Sequence, residues 1–405
     1  MRIEFSPPDI TEAEIEAVVD ALRSGWITTG PRVKQFEREL ASWCEVPRSV
    51  CLSSATSALE SALRQLGIGP GDEVITSAYT YTASASVVCH VGATLVLADT
   101  ASGSYEIDYE ALANLITPRT KAIIPVDIAG VMCDYETLEA CLTSVSERFS
   151  PTAGTLQEAF NRVPILTDGA HSFGATYQGQ PSGSVADFTT FSFHAVKNIT
   201  TAEGGALVWR AREGIDDEAF YQQLMLLSLH GQNKDAFSKS RAGAWEYDVI
   251  APLYKCNMTD LTAALGLAQL KRYPQMLARR HVIVERYVDA LASSNIELLS
   301  HHTERGVSSG HLCLIRLIGQ SADFRNRLIA RMAECDITCN VHYKPLPLLT
   351  AYRNLGFDIT DFPNALAQFE NEVTLPLHSK LSDAEVDYVV ESFQASYEEC
   401  VRAGV

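Results

Sequence analysis

The spacing of apolar residues changes along this chain, and each change predicts an element. From Thr11 onward the apolar positions recur at helical intervals. Thr11 is placed to cap that helix, with Glu14 three residues on to complete a capping box. Ser24-Gly25-Trp26-Ile27-Thr28-Thr29-Gly30-Pro31 breaks the period, and Val33-Lys34-Gln35-Phe36-Glu37 opens a second helix. Beyond Ser49 the pattern turns to short apolar runs at 50–52, 73–76, 94–98, 122–126, 164–167, 188–193 and 206–208. Helical stretches such as 57–66 and 135–140 lie between most of them. Strands alternating with helices predict an α/β fold whose central sheet is mostly parallel and covered on both faces. The short connection between the last two runs predicts an antiparallel pair there.

Two polar stretches interrupt the pattern. Residues 144–161 read as an insertion, loop or helix, and residues 230–247 as a surface loop. Near Met258 a long helix begins, running through Asp260-Leu261-Thr262-Ala263-Ala264-Leu265 toward Val288. After it the alternation resumes with a strand at 312–317 and helices at 325–335 and 382–396. The expected organisation is an N-terminal arm and large domain over 1–255, then a linking helix and a smaller C-terminal α+β domain over 256–405.

Composition narrows the function classes. The chain has 405 residues, 46% hydrophobic and 20% charged, enough for a large core. Its net charge of −18 and lack of a basic run argue against nucleic-acid binding. The opening MRIEFSPPDI has no charged start followed by an apolar core, and no apolar run reaches the roughly 18–20 residues needed to span a bilayer. Ten cysteines are scattered without a disulfide or zinc framework, as expected of reduced thiols in a cytoplasmic protein. No metal site is expected.

The chemistry lies at the ends of the predicted strands. Asp168 ends the run Val163-Pro164-Ile165-Leu166-Thr167, and Lys197 follows the aromatic run Phe191-Ser192-Phe193 just before Gly204-Gly205. An aspartate and a lysine so placed suit pyridoxal 5'-phosphate (PLP). The amine forms a Schiff base with the cofactor aldehyde, and the carboxylate keeps the pyridine nitrogen protonated. Phe193, Val196 and Ile199 flank Lys197, and an apolar setting lowers an amine's pKa toward neutrality. Ser53-Ser54-Ala55-Thr56-Ser57 joins a strand end to a helix start, where free N–H groups hold a phosphate. Ser192 is placed to join them. Tyr81, after the 73–76 strand, is placed to lie on the ring, with Tyr79 the alternative. His171, three residues after Asp168, is placed to cover the ring's other face or touch its phenolic oxygen.

Four ordered stretches carry a family resemblance: 24–31, Gly69-Pro70-Gly71-Asp72-Glu73-Val74-Ile75, 168–174 and 191–205. They resemble the motifs of the DegT–DnrJ–StrS family of PLP-dependent sugar aminotransferases, members of aminotransferase fold type I. The likeness runs from about Gly25 to Phe393. It implies Lys197 as the Schiff-base lysine, Asp168 as partner of the pyridine nitrogen and His171 beside the cofactor. It implies Ala55, Thr56 and Ser192 at the phosphate and Tyr81 on the ring. Tyr254-Lys255-Cys256-Asn257-Met258-Thr259-Asp260 matches a family segment in which Asn257 would reach the phosphate of a neighbouring subunit, implying a homodimer with shared sites. Lys255, Glu203 and His342, the last in His342-Tyr343-Lys344-Pro345, would lie toward the substrate. The reaction implied moves an amino group from an amino acid, L-glutamate by analogy, to a nucleotide-linked keto sugar. The products would feed polysaccharide, glycan or antibiotic biosynthesis.

Two alternatives stand beside it. A PLP-dependent sugar dehydratase of this type has histidine where this chain has Lys197. A non-catalytic relative would have lost Asp168, His171 or Lys197. Three departures from the family pattern also stand out. Ser54-Ala55 replaces Asn-Gly, so the phosphate turn is expected to differ slightly. Ala202 replaces the first glycine of Thr-Gly-Glu-Gly-Gly. Asp127-Ile128-Ala129-Gly130 replaces His-Leu-Tyr-Gly in a loop expected to face the substrate.

Overall fold

In the computed structural model, which describes residues 1–234 and 246–402, the seven apolar runs form one central sheet. Its strands are β1 (Ser49–Leu52), β2 (Glu73–Ser77), β3 (Thr94–Ala98), β4 (Thr120–Ile124), β5 (Leu166–Asp168), β6 (Phe188–Ser192) and β7 (Gly205–Trp209). The order across the sheet is β3-β2-β4, then β5-β6-β7-β1. Parallel bridges Ile123–Ile165 and Val126–Asp168 join the two parts. Strands β2, β3, β4, β5 and β6 run parallel to one another, while β7 is antiparallel to both β6 and β1. The antiparallel pair expected from the short connection is therefore present. Every residue of β2, β4 and β7 is buried, as a sheet packed on both faces requires.

The helices include α1 (Glu12–Arg23), α2 (Pro31–Trp43), α3 (Ala55–Gln65), α4 (Thr82–His90), α5 (Tyr109–Leu115), α6 (Tyr135–Ser144), α7 (Asp217–Ser228) and the long α8 (Asp260–Leu291). Glu14 accepts the backbone N–H and hydroxyl of Thr11 at 2.7 and 2.6 Å. The same carboxylate reaches Gln269 and Arg272 on α8. A local capping residue thus also pins the N-terminal helix to the long one. Asp260 does the reverse. Fully buried, it accepts the Arg32 and Val33 N–H groups at 3.1 and 3.0 Å, satisfying donors that the first turn of α2 leaves open.

The insertion at 144–161 is irregular, with short 3₁₀ turns at Ser146–Arg148 and Leu156–Ala159. Of the expected surface loop at 230–247, residues 235–245 lie outside the described residues. Beyond α8, strands β8 (Ile296–Leu298), β9 (Cys313–Leu317) and β10 (Glu372–Leu375) form an antiparallel sheet in the order β8-β9-β10. Helices α9 (Ala322–Glu334), α10 (Pro363–Asn371) and α11 (Asp383–Arg402) accompany it. The hydrophobic clusters run across residue 255. The first half of α8 (Ala263, Leu267, Leu270, Tyr273) packs with α2, β1, β6 and β7. Its second half (Ile283, Val284, Tyr287, Leu291) packs with β9, β10, α9 and α11. The helix therefore belongs to both cores and couples them. The fold is the expected α/β class, with a smaller α+β part at the C-terminal end.

Candidate active site

A cavity of about 500 Å³ opens at the carboxyl ends of β2, β5 and β6, where open parallel sheets place their ligands. Ala55, Thr56, Tyr81, Asp168, His171, Ser192, Lys197, Glu203 and His342 all line it. Residues far apart in sequence are thus brought to one site.

Asp168, the last residue of β5, is buried. Its Oδ2 accepts the Ser84 hydroxyl at 2.7 Å and its Oδ1 the Ala170 N–H at 3.1 Å. Burial nevertheless raises its pKa above the ordinary carboxylate range, outweighing those two donors and the charge of Lys197. Lys197 sits in the turn after β6, its N–H donating to the His194 carbonyl at 2.9 Å. Among the described residues no hydrogen bond or ion pair holds its ammonium. Desolvation pulls the amine down to about 8, outweighing the charge of Asp168, which acts the other way. The pair therefore consists of a buried acid short of positive charge and an amine poised near neutrality.

His171 is fixed on both ring nitrogens. The Ala129 N–H donates to Nδ1 at 3.2 Å, so Nδ1 is bare and Nε2 carries the proton, which goes to the Tyr343 hydroxyl at 3.0 Å. Burial, with Lys197 and His342 nearby, holds its pKa well below the usual imidazole value, so the ring is neutral. At the opposite end, Ser54 caps α3 by accepting the Ser57 N–H. The Ala55 and Thr56 N–H groups have no intrahelical acceptor and point into the cavity end of the helix. Gly205 makes this possible: a Cβ there would meet Ala55 N at 2.3 Å.

The two tyrosines differ in burial. Tyr79 is fully buried and donates to the His342 carbonyl at 2.8 Å, whereas Tyr81 is 59% exposed at the cavity mouth. Glu203 also stands at the mouth, 3.7 Å from His194. Lys255 and Asn257 do not line this chain's cavity. They bond to each other, and Asn257 also donates to Thr29. Sequence reasoning missed His311, whose ring lies 4.3 Å from that of His171 and which bonds Asn198 at 2.7 Å. It also missed Ser84 as the partner of Asp168. The three-residue step from Tyr81 to Ser84 was the one local signal for it. Nothing near His311 in the sequence points to the site.

The comparisons with known proteins agree with this geometry. Residues 8–394 match the DegT/DnrJ/EryC1/StrS aminotransferase family. The chain belongs to that family. A relative, the spore coat polysaccharide biosynthesis protein SpsC of Bacillus subtilis, is 37% identical over 96% of both chains. The PMP form of Spr1654 from Streptococcus pneumoniae, described as a sugar aminotransferase, is 55% identical with a TM-score of 0.96 over 100% of both chains. PseC of Helicobacter pylori, an aminotransferase of pseudoaminic acid biosynthesis, is 28% identical over 98% of this chain and 100% of its own, with a TM-score of 0.86.

As a member of this family the protein is a PLP-dependent aminotransferase of fold type I. Its cavity fits that cofactor. A buried carboxyl lacking a full countercharge suits a pyridinium, a desolvated amine suits an aldehyde, and a helix N-terminus suits a phosphate. Against the family pattern, Ala55 needs no unusual turn, because it is the first helical residue and Ser54 before it is extended. Ala202 does adopt the left-handed conformation, with φ 68°. The loop at 127–130 does not face the cavity as expected. Asp127 is fully buried, accepting the Cys133 N–H and the Tyr135 hydroxyl, and Ala129 supports His171 from behind.

Proposed function

We propose that this enzyme moves the amino group of L-glutamate to a keto sugar carried on a nucleotide, and that it does so as a homodimer. The observation that carries the reading is the half-buried Lys197 amine facing Asp168 across one cavity, with a capped helix start at its far end. The sugar as acceptor rests on the relatives, of which Spr1654, 55% identical, is named as a sugar aminotransferase. No helix among the described residues is long and apolar enough to cross a membrane.

PLP, when bound, supplies an electrophilic carbon and a ring that withdraws electrons from it. The chain's own residues do the rest. Asp168, held by Ser84 and Ala170, keeps a proton on the ring nitrogen. Lys197 Nζ would take the proton from the amino-acid Cα and deliver it to the carbon that bore the cofactor aldehyde, since its pKa of about 8 lets it act both as base and as acid. Ala55, Thr56 and Ser192 would hold the phosphate, Tyr81 would stack on the ring, and His171, its Nε2–H donated to Tyr343, would sit beside the cofactor. Glu203 and His342 border the space left for substrate. Asn257, half-buried, and Lys255, exposed, both just before α8, serve the site of a second subunit. Residues 1–255 act as the cofactor-binding unit, with 256–405 as helix and cap.

One experiment tests the set. The protein is loaded with PLP and L-glutamate, freed of excess donor, and given a panel of 3- and 4-keto nucleotide sugars. The expected result is loss of the cofactor's visible absorbance with glutamate and its return with one nucleotide sugar. Return with simple 2-oxo acids alone would overturn the sugar reading. In mixed dimers, Lys197→Ala subunits paired with Asn257→Ala subunits are expected to regain a fraction of activity if sites are shared.

A further inference from the structure

Behind His342 lies a polar chain that the reaction described so far does not use. Residues 340–342 run antiparallel to β10. The Asn340 N–H donates to the Thr374 carbonyl at 3.0 Å and the Thr374 N–H to the Asn340 carbonyl at 2.8 Å. This pairing sets the buried carboxyl of Glu372 against His342. Its Oε2 accepts the His342 backbone N–H at 2.8 Å, and its Oε1 lies 2.5 Å from the Thr374 hydroxyl. The same hydroxyl lies 2.9 Å from His342 Nδ1. Carboxyl, hydroxyl and imidazole thus form one line. With Nδ1 engaged, Nε2 is the ring nitrogen left for a ligand in the cavity that His342 lines.

We propose that Glu372 is a positioning residue which, through the Thr374 hydroxyl, decides which nitrogen of His342 carries the proton. It thereby sets whether His342 offers the substrate an acceptor or a donor. A hydroxyl between two partners can donate to only one of them. When Glu372 is ionised, Thr374 donates to Oε1, so Nδ1–H donates to the hydroxyl oxygen and Nε2 is a bare acceptor. When Glu372 carries a proton, Oε1–H donates to Thr374, the hydroxyl turns to Nδ1, and the ring proton sits on Nε2. The imidazole holds one proton in both states.

The surroundings allow both states within reach of solution pH. Burial raises the Glu372 carboxyl to about 8, against the pull of Thr374, His342 and Arg325. Arg325 on α9 is the cation facing it among the described residues, and it also donates to the Glu372 carbonyl at 3.4 Å. Tyr79, Tyr105 and Tyr343 also face this carboxyl, as do Cys313 and Cys339. Burial pushes all five upward, so they stay neutral through that range. His342 itself is held down to about 3 by burial and by Lys197, so it too stays neutral.

The inference rests on the reading that His342 meets the substrate, but its main test does not depend on turnover. Holoenzyme labelled with ¹⁵N-histidine reports the His342 tautomer by NMR, with His342→Gln to assign the signals. In the wild type the proton should move from Nε2 to Nδ1 as pH rises through about 8. Glu372→Gln keeps size and bond count. Its Oε1 accepts the His342 N–H and its Nε2 donates to Thr374, so Nε2–H should persist at every pH. Thr374→Val should uncouple the tautomer from pH, and Thr374→Ser should restore the coupling. In kinetics, Glu372→Gln should change kcat/KM of the sugar half-reaction about tenfold above pH 8, where the two tautomers differ, with little change below it, and should leave the glutamate half unaltered. A His342 tautomer identical in wild type and Glu372→Gln across this pH range would overturn the proposal. Altered tautomers with unaltered sugar kinetics would instead show that His342 does not meet the sugar.

Discussion

Asp187 and Asp168 are buried carboxylates at opposite ends of the same strand pair, and they are treated in opposite ways. Asp187 stands just before β6, at the closed end. Arg162 and Arg212 reach it at 2.7 and 2.6 Å, Arg210 at 3.4 Å, and the Ile165 N–H at 2.9 Å. Burial pushes its pKa up, but Arg162 and the other partners outweigh this and the net shift is downward. Asp168, at the carboxyl end of β5, receives a hydroxyl and one N–H, and its pKa remains raised. Burial is common to both; compensation is not. A carboxylate whose charge is fully answered by its own chain has a structural task. One left partly unanswered beside a cavity is waiting for a cationic partner from outside.

The strongest way to break this contrast is to remove the one amine at the open end. Lys197→Ala should lower turnover by at least about a thousandfold, as expected for loss of nucleophile and base together. Unfolding should be little changed, because no hydrogen bond or ion pair among the described residues is lost. Stopped-flow half-reactions and a urea melt read the two sides. Borohydride reduction followed by mass spectrometry should fix the cofactor on residue 197 in the wild type only.

The carboxylates themselves come next. Asp187→Ala leaves Arg162 buried, with Glu139 as its remaining acid partner, and should cost about 3 kcal/mol of stability. Asp168→Asn should leave the cofactor-free protein as stable as the wild type or more so, because it removes a charge that burial disfavours, while transamination falls sharply. Equal destabilisation by both substitutions would erase the distinction drawn between the two ends. Chemical denaturation of cofactor-free protein, beside activity of the reconstituted enzyme, decides it.

How far the sequence reveals this contrast depends on contact range. Asp168, Lys197 and the α3 start were readable because each sits just after a strand, and strand ends converge at one edge of a parallel sheet. The sheet itself was readable from short apolar runs, to within a few residues at each end. What the sequence hid were contacts between distant segments. The Ala129 N–H fixes the His171 ring from 42 positions upstream, and Tyr343 fixes it from 172 positions downstream. Neither has a local signature. The 127–130 loop misled for the same reason. Its place in the family pattern suggests a loop facing the substrate, yet Cys133 and Tyr135 fold back on Asp127 and bury it.

A smaller effect follows from the amine's own titration. The folded pKa of Lys197 lies at about 8, below the ordinary 10.5. The neutral amine, the form that attacks an aldehyde, therefore grows about tenfold per pH unit up to that point and then levels off. The rate at which cofactor-free protein captures PLP should follow this curve, rising to a plateau above about 8. Asp168→Asn removes the charge that raises the amine's pKa, so the curve should move to lower pH. A rate still climbing toward 10.5 would mean that the amine is solvated, and the open end would lose its defining property.

The smallest effect separates strain from chemistry at the open end. Ala202 and Ala129 both adopt left-handed conformations, with φ 68° and 57°. A side chain costs about 1–2 kcal/mol in that conformation, and glycine pays nothing there. Ala202 is exposed and its methyl packs little, so Ala202→Gly should relieve the strain. After the extra entropy of an unfolded glycine, the net gain should be up to about 1 kcal/mol in a urea melt, with transamination unchanged. Ala129 is fully buried, and its N–H holds His171. Glycine there forfeits a buried methyl worth about 0.8 kcal/mol, which cancels most of the gain, and loosens the backbone that orients the imidazole. The same substitution should thus raise stability without touching rate at one site, and lower rate with little change in stability at the other.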